Sequence, residues 1–110
     1  MNEPIFNKLI IINKSLYSLG LGDLPKDNYE REIYIELDVY QAFLYSKISN
    51  YNSSKQDWDI NYLREARKRL KSYAKKRGYT LFMKNKILFK RYTLFLEAIE
   101  LIEELVKNEK

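Results

Sequence analysis

The sequence predicts an all-α protein, folded as a single-domain antiparallel four-helix bundle. Apolar residues recur every three or four positions through most of the chain, which is the spacing of one helix face. The 3 Gly and 2 Pro fall between helical segments or at the start of one. A length of 110 residues fits one domain, and 45% hydrophobic residues can form a buried core. The four predicted helices, joined by short connections that favour antiparallel neighbours, span roughly residues 4–19, 28–51, 57–77 and 80–108.

The first helix is predicted from a regular apolar row and from residues suited to its two ends. Pro4 suits the first turn, where its missing N–H is not needed, and Gly20 or Gly22 suits the C-terminal stop. The apolar row consists of Ile5, Leu9, Ile12, Leu16 and Leu19.

The second helix has an N-terminal signal and apolar residues on two faces. Asp27 is the expected N-cap, and Glu30 three residues later completes a capping box. One face carries Ile33, Leu37, Tyr40, Leu44, Ile48 and Tyr51, and another carries Ile35, Val39, Ala42 and Phe43. A helix that is apolar on two faces is expected at the centre of the bundle.

The third helix is expected at the outside of the bundle, with Ser54 or Asp57 as its cap. Its apolar stripe is narrow and the remaining surface is charged. The stripe consists of Leu63, Ala66, Leu70, Tyr73 and Ala74. Trp58 is expected to cover the core at its start, and Gly78 to end it.

The fourth helix, with Thr80 as its cap, carries two neighbouring apolar rows. One row is Leu88, Tyr92, Phe95, Ile99, Ile102 and Val106, and the other is Leu94, Ala98, Leu101 and Leu105. Because this helix is longer than the first helix that would cover it, a homodimer through the fourth helix is predicted.

Charge is strongly segregated along the chain. Residues 64–91 hold twelve basic side chains and only one acidic side chain, Glu65, for a net charge of +11. Residues 1–63 and 92–110 each sum to −3. Segregation of this size favours polyanionic partners.

The basic segment predicts a nucleic-acid contact surface with low sequence specificity. At about 100° per residue, Arg64, Lys68, Lys71 and Lys75 share one side of the third helix, away from its apolar stripe. A solvated face would normally alternate Glu with Lys, and this segment does not. The predicted nucleic-acid-binding residues are Arg64, Arg67, Lys68, Lys71, Lys75, Lys76, Arg77, Lys84, Lys86 and Lys90.

Other partners and motifs stay open at this level. The same charge would suit an acidic protein partner, as in small basic immunity, inhibitor or complex-subunit proteins, or an anionic membrane surface. Ala74, Gly78 and Thr80 have the spacing of a helix-turn-helix unit, but Arg77 and Lys84 stand where such units need apolar residues. Phe89 falls on the polar side of its helix, where contact with a partner is one possible role.

Composition argues against catalysis, cofactors and metal. The chain has neither Cys nor His, so it lacks the commonest nucleophile, acid–base and metal-ligating groups. Glu97, Glu100, Glu103 and Glu104 lie on the polar side of the fourth helix, whereas bundle metal sites need inward carboxylates. No export signal or membrane-spanning run is visible, so a cytoplasmic protein is expected, including one of viral or plasmid origin.

Arg91 is the one charged residue inside an apolar sector of the fourth helix. A buried cation needs a partner. We expect an ion pair with Glu36 or Asp38 of the second helix, and the alternative is an anchor for a phosphate or for a partner's carboxylate.

Overall fold

The computed structural model describes residues 3–19, 24–51, 57–77 and 80–108, with the side chains of 77, 80 and 81 left out. The described residues form five α-helices, and none of them lies in a strand. The helices are α1 (Glu3–Leu19), α2 (Asn28–Ser49), α3 (Ile60–Arg77), α4 (Thr80–Lys84) and α5 (Lys86–Asn108). Their packing confirms the predicted all-α bundle.

The predicted continuous helix over 80–108 is wrong, because the chain breaks at Asn85 into α4 and α5. The Asn85 side chain accepts a hydrogen bond from the Leu88 N–H at 3.0 Å, and its carbonyl accepts from the Phe89 N–H at 3.1 Å. Asn is a favoured N-cap because its side-chain oxygen satisfies an N–H that lacks an intrahelical partner. Apolar periodicity continues on both sides of the cap, which hides it in the sequence.

The N-terminus of α2 is capped as predicted. The Asp27 carboxylate accepts from the N–H groups of Tyr29 at 2.9 Å and Glu30 at 3.0 Å. At the other end α2 stops at Ser49, before the predicted residue 51. Asn50 departs from helical geometry with φ −102° and ψ 24°, and the next N–H, that of Tyr51, donates to the Ile48 carbonyl three residues back at 3.3 Å.

The third helix begins at Ile60, later than the predicted residue 57. Asp57 accepts from the Asp59 N–H at 2.9 Å and so forms a local turn ahead of the helix. Asp59 has φ 50°, in the left-handed region, and its carbonyl accepts the first bond of α3 from the Leu63 N–H at 3.1 Å. The other predicted end residues, Gly20, Gly22, Ser54 and Gly78, lie outside the described residues.

The centre of the bundle is α5, not α2 as predicted. α5 packs against each of the other four helices. The second apolar face of α2 points away from the core, with Ile35 49% and Val39 53% exposed. Only Phe43 of that face packs partly against the core.

Both apolar rows of α5 are covered within the chain, which explains its central place. Its buried side chains are Leu88, Arg91, Tyr92, Phe95, Ala98, Ile99, Ile102 and Leu105. Leu94, Leu101 and Val106 are partly buried and pack on the same core. Much of the apolar surface of α5 thus packs within the chain, and the homodimer through the fourth helix stays a prediction.

Aromatic side chains close one end of the core. Trp58 is buried, as predicted, and its ring lies 5.8 Å from that of Tyr51. Tyr51 in turn stacks on Phe6 of α1 at 4.0 Å. Rings at these separations add to the stability gained from burial alone.

Arg91 is 1% exposed and does not form the predicted ion pair with Glu36 or Asp38. Its Nε and Nη2 groups donate to the Gln41 side-chain oxygen at 3.1 and 2.9 Å, and its guanidinium lies over the Tyr34 ring at 5.4 Å. The neutral oxygen of Gln41 thus takes the place of a carboxylate. Burial lowers the pKa of Arg91, and the nearby charge of Asp38 opposes that shift.

Candidate nucleic-acid interface

Polar contacts on both sides of α3 fix which face it turns outward. On the α2 side, Arg69 Nε lies 2.6 Å from a Glu36 carboxylate oxygen, which also accepts from the Tyr40 hydroxyl at 2.9 Å. On the α5 side, Arg67 and Arg64 both pair with Glu103, Arg64 at 3.5 Å. Contacts on two sides restrict rotation of α3 about its axis. The lysines between these contacts therefore stay on the face turned away from the core.

The contact with α2 also perturbs two tyrosines. Burial raises the pKa of Tyr40 to about 12, and the hydrogen bond and charge of Glu36 add to that rise. Burial likewise raises the pKa of Tyr73, whose carbonyl accepts a hydrogen bond from the Tyr29 hydroxyl. Tyr73 is half-buried and Tyr92 is buried, which confirms both as core residues.

The predicted ridge is exposed as a set: Arg64, Lys68, Lys71 and Lys75 all lie at the surface, as does Lys76. No described acidic residue forms an ion pair with any of the four lysines of this set, Lys68, Lys71, Lys75 and Lys76. At about 100° per residue, Lys71 and Lys75 lie on the α5 side of α3 with Arg64, whereas Lys76 lies towards the α2 side with Arg69.

Glu103 changes the charge at the start of the ridge. Because α3 and α5 are antiparallel, the C-terminal half of α5 lies beside the first turns of α3, and Glu103 reaches both Arg64 and Arg67. Glu97, Glu100 and Glu104 are exposed on the same half of α5. The segment that is nearly free of acids in sequence is therefore not free of them in space, and these two arginines serve the packing of α3 on α5.

The other end of α3 keeps its positive charge. There α3 contacts α4, and both contact the start of α5. We use the term basic end for five exposed lysines of these three contacting helices: Lys71, Lys75, Lys84, Lys86 and Lys90. None of them has an ion-pair partner among the described residues. Glu32 and Glu36 of α2 lie on the opposite side of α3, next to Tyr73.

The ten predicted binding residues therefore separate into groups. Five form the basic end, and Lys68 continues it one turn along α3 towards Arg64. Arg64 and Arg67 are held by Glu103, and Lys76 points to the other flank. The side chain of Arg77 lies outside the described residues.

Exposed apolar side chains accompany the lysines of the basic end. Met83 is 76% exposed, Ile87 46% and Phe89 37%. The exposure of Phe89 agrees with its predicted place on the polar side of the helix, whereas Met83 and Ile87, which lie outside both predicted apolar rows, were not singled out in the sequence. The Phe89 ring rests against that of Phe82, which is buried, at 5.2 Å.

The charges at the start of α5 oppose the helix dipole. Lys86 is the first residue of α5, Lys90 follows one turn later, and the first turn holds no acidic residue. The positive end of a helix disfavours a cation by about 0.3–1 kcal/mol, and like charges four residues apart repel. The folded protein therefore holds cations at a place where an anion would stabilise it.

Other kinds of site are not found in the described part of the chain. It contains no group of three or more acidic residues placed to hold a metal ion. None of its helices is both long and apolar enough to span a bilayer.

Comparison of the chain with protein-family models, with curated proteins and with solved structures found no significant match. Any function assigned to the protein therefore rests on the chemistry of this surface.

Proposed function

We propose that the protein binds nucleic acid through the basic end, without catalysis, as an accessory or regulatory factor. One observation carries the proposal: exposed lysines lie on α3, α4 and α5, three helices that contact one another, and have no ion-pair partner among the described acidic residues. Each lysine that neutralises a phosphate releases condensed counterions, which supplies affinity independent of sequence.

The placement of these lysines favours a binding role over a merely solvated face. Lys71 and Lys75 repel each other across one helical turn, as do Lys86 and Lys90, and Lys86 also opposes the dipole of α5. A face selected only for solubility would relieve this repulsion with interspersed acids. A phosphate at this end would reverse each of these unfavourable terms.

Low sequence specificity follows from which cations are engaged. The arginines of this region with described side chains are held by the protein itself, Arg64 and Arg67 by Glu103, Arg69 by Glu36 and Arg91 by Gln41. Arginine reads guanine edges through a rigid pair of donors, whereas lysine acts on phosphates as a point charge. Among the described side chains of this region, the cations without an ion pair or such a hydrogen bond are lysines, which suits contact with the backbone.

An acidic protein is the second candidate partner. The exposed side chains of Met83 and Ile87 favour it, because the centre of a protein interface needs apolar contact as well as charge. Such a partner would use the same lysines, so mutation of the lysines alone does not separate the two candidates.

Titration of labelled oligonucleotides by fluorescence anisotropy tests the proposal directly. Single-stranded DNA, duplex DNA and RNA are each titrated at about 50 and 200 mM salt. If all five lysines contact phosphates, the slope of log affinity against log salt should lie at roughly −3.5 to −4.5. No binding to any of the three at the lower salt concentration refutes the proposal and leaves the acidic protein as the better candidate.

A matched pair of triple variants locates the site. Lys71, Lys75 and Lys90 are changed to Glu in one variant, which should abolish binding at the higher salt concentration. Lys8, Lys14 and Lys26, exposed elsewhere, are changed to Glu in the other, which should retain most of it. The two variants have equal net charge, so an equal loss would place the binding outside the basic end.

A further inference from the structure

We infer that the basic end binds single-stranded rather than duplex nucleic acid, with Phe89 and Met83 contacting the faces of unpaired bases. This inference rests on the proposed function. It comes from a different observation, namely the apolar side chains exposed among the lysines.

The first turns of α5 carry exposed lysines and exposed apolar side chains next to one another around the helix. At about 100° per residue, Lys86 and Lys90 lie within about 40° of each other, with Phe89 about 60° beyond Lys86 and Ile87 about 60° beyond Lys90. The two lysines thus lie between two exposed apolar side chains. Met83, the most exposed of the apolar group at 76%, adjoins Lys84 in α4.

Of the two forms of nucleic acid, the unpaired strand offers groups that complement both the lysines and the apolar side chains. In a duplex the base faces are stacked inside the helix, so a side chain that approaches the phosphates meets backbone and grooves. In a single strand the bases turn outward beside the phosphates, and an aromatic ring can stack on them whatever their sequence. A methionine sulfur also makes favourable contacts with aromatic rings.

Phe89 is held ready for such a contact. Its inner side packs against Phe82, which is buried and stacks on Tyr92 with ring centroids 4.8 Å apart. The outer part of the Phe89 ring stays exposed at the edge of this aromatic group. A side chain that is already positioned loses little conformational entropy when it binds.

The test compares three ligands of equal length: a 20-mer of deoxythymidine, an abasic 20-mer with the same phosphates and no bases, and a 20-base-pair duplex. Wild-type protein should bind the thymidine strand more tightly than either of the others. Stacking on one base contributes about 1–3 kcal/mol, so Phe89→Ala should weaken binding to the thymidine strand by roughly 5- to 150-fold. Binding to the abasic strand should stay within about twofold of wild type, because no base is there to stack.

Met83→Ser changes no core residue, and it should selectively weaken binding to the thymidine strand. Val39→Ser, which removes a 53% exposed apolar side chain from α2, should leave binding to all three ligands unchanged. Thermal unfolding of Phe89→Ala checks that the variant is folded at the titration temperature.

The outcomes separate this inference from the proposed function. The single-strand inference is wrong if the duplex and the abasic strand bind as tightly as the thymidine strand. It is also wrong if Phe89→Ala and Met83→Ser leave the affinity for the thymidine strand unchanged. In both cases the proposed nucleic-acid binding stands. If no oligonucleotide binds, the single-strand inference and the proposed function are both wrong. Binding to vesicles of phosphatidylserine without binding to any oligonucleotide would also overturn both and assign the surface to an anionic membrane.

Discussion

Changing Lys86 to Glu should weaken nucleic-acid binding and at the same time stabilise the fold. Most substitutions at a binding surface leave stability unchanged or lower it. Lys86 differs because it is the first residue of α5 and lies at the positive end of the helix dipole, one turn before Lys90. A glutamate at this position interacts favourably with the dipole and forms an i,i+4 pair with Lys90.

The expected gain is about 1 kcal/mol, the lower end of the range of about 1–3 kcal/mol to which four contributions sum. Removing a cation from the first turn and adding an anion there each contribute about 0.3–1 kcal/mol. Loss of the repulsion between Lys86 and Lys90, and gain of an attraction in its place, each add about 0.2–0.5 kcal/mol. Because residue 86 is exposed, the lower end of the range applies, which for a domain of this size raises the Tm by roughly 4–8 °C.

Calorimetry at low and high salt measures this effect. The gain should be largest near 20 mM salt and should be mostly lost near 1 M, where the Debye length is about 3 Å. Lys107→Glu is the matched control, since Lys107 is an exposed lysine in the last turn of the same helix. There the same charge change should lower the Tm. Equal signs for the two variants would refute the dipole argument.

Three further outcomes test the structure itself. Asn85→Ala removes the cap of α5 and should destabilise the protein by about 1 kcal/mol in urea unfolding; no change would argue against the break between α4 and α5. Gln41→Leu should cost about 2–3 kcal/mol because it leaves the Arg91 guanidinium without its described acceptor, and adding Arg91→Met should recover most of that loss. Tyr40 has a pKa of about 12 in the folded chain against 10.0 unfolded, so its contribution to stability is complete below pH 10.0 and is lost as the pH rises to about 12. Tyr40→Phe should therefore flatten the decline of the unfolding free energy over that pH range. An unchanged slope would contradict the raised pKa of Tyr40.

Local patterns in the sequence predicted the parts of the fold that depend on one helix at a time. The buried row of α2, from Ile33 through Leu37 to Ile48, follows the predicted face, because periodicity records which side of a helix is apolar. Asp27 was recognisable as a cap because capping involves residues two or three positions apart. The exposure of Lys68, Lys71 and Lys75 follows from the same angular argument.

Features that depend on two distant segments could not be read from such patterns. Periodicity placed Ile35 and Val39 on an apolar face, but it cannot say whether another helix covers that face. Nothing in the local sequence indicates that Glu103 lies beside Arg64 and Arg67, since this follows from the antiparallel packing of α3 on α5. The pairing of Arg64 and Arg67 with Glu103 was therefore not foreseen in the predicted site.

Glu103 also explains why positive charge is concentrated at one end of the bundle and not spread along α3. By pairing with Arg64 and Arg67 it fixes the rotation of α3 and neutralises the ridge where α3 begins. The same packing leaves Lys71 and Lys75 pointing outward where α5 offers Lys86 and Lys90 in place of acids. Arginines held by acids or by an amide set the orientation of the helices, and lysines without such partners remain available to a ligand. Under the proposed function, nucleic-acid binding to such a surface should depend on salt more than on base sequence, because its available groups are point charges and exposed apolar side chains.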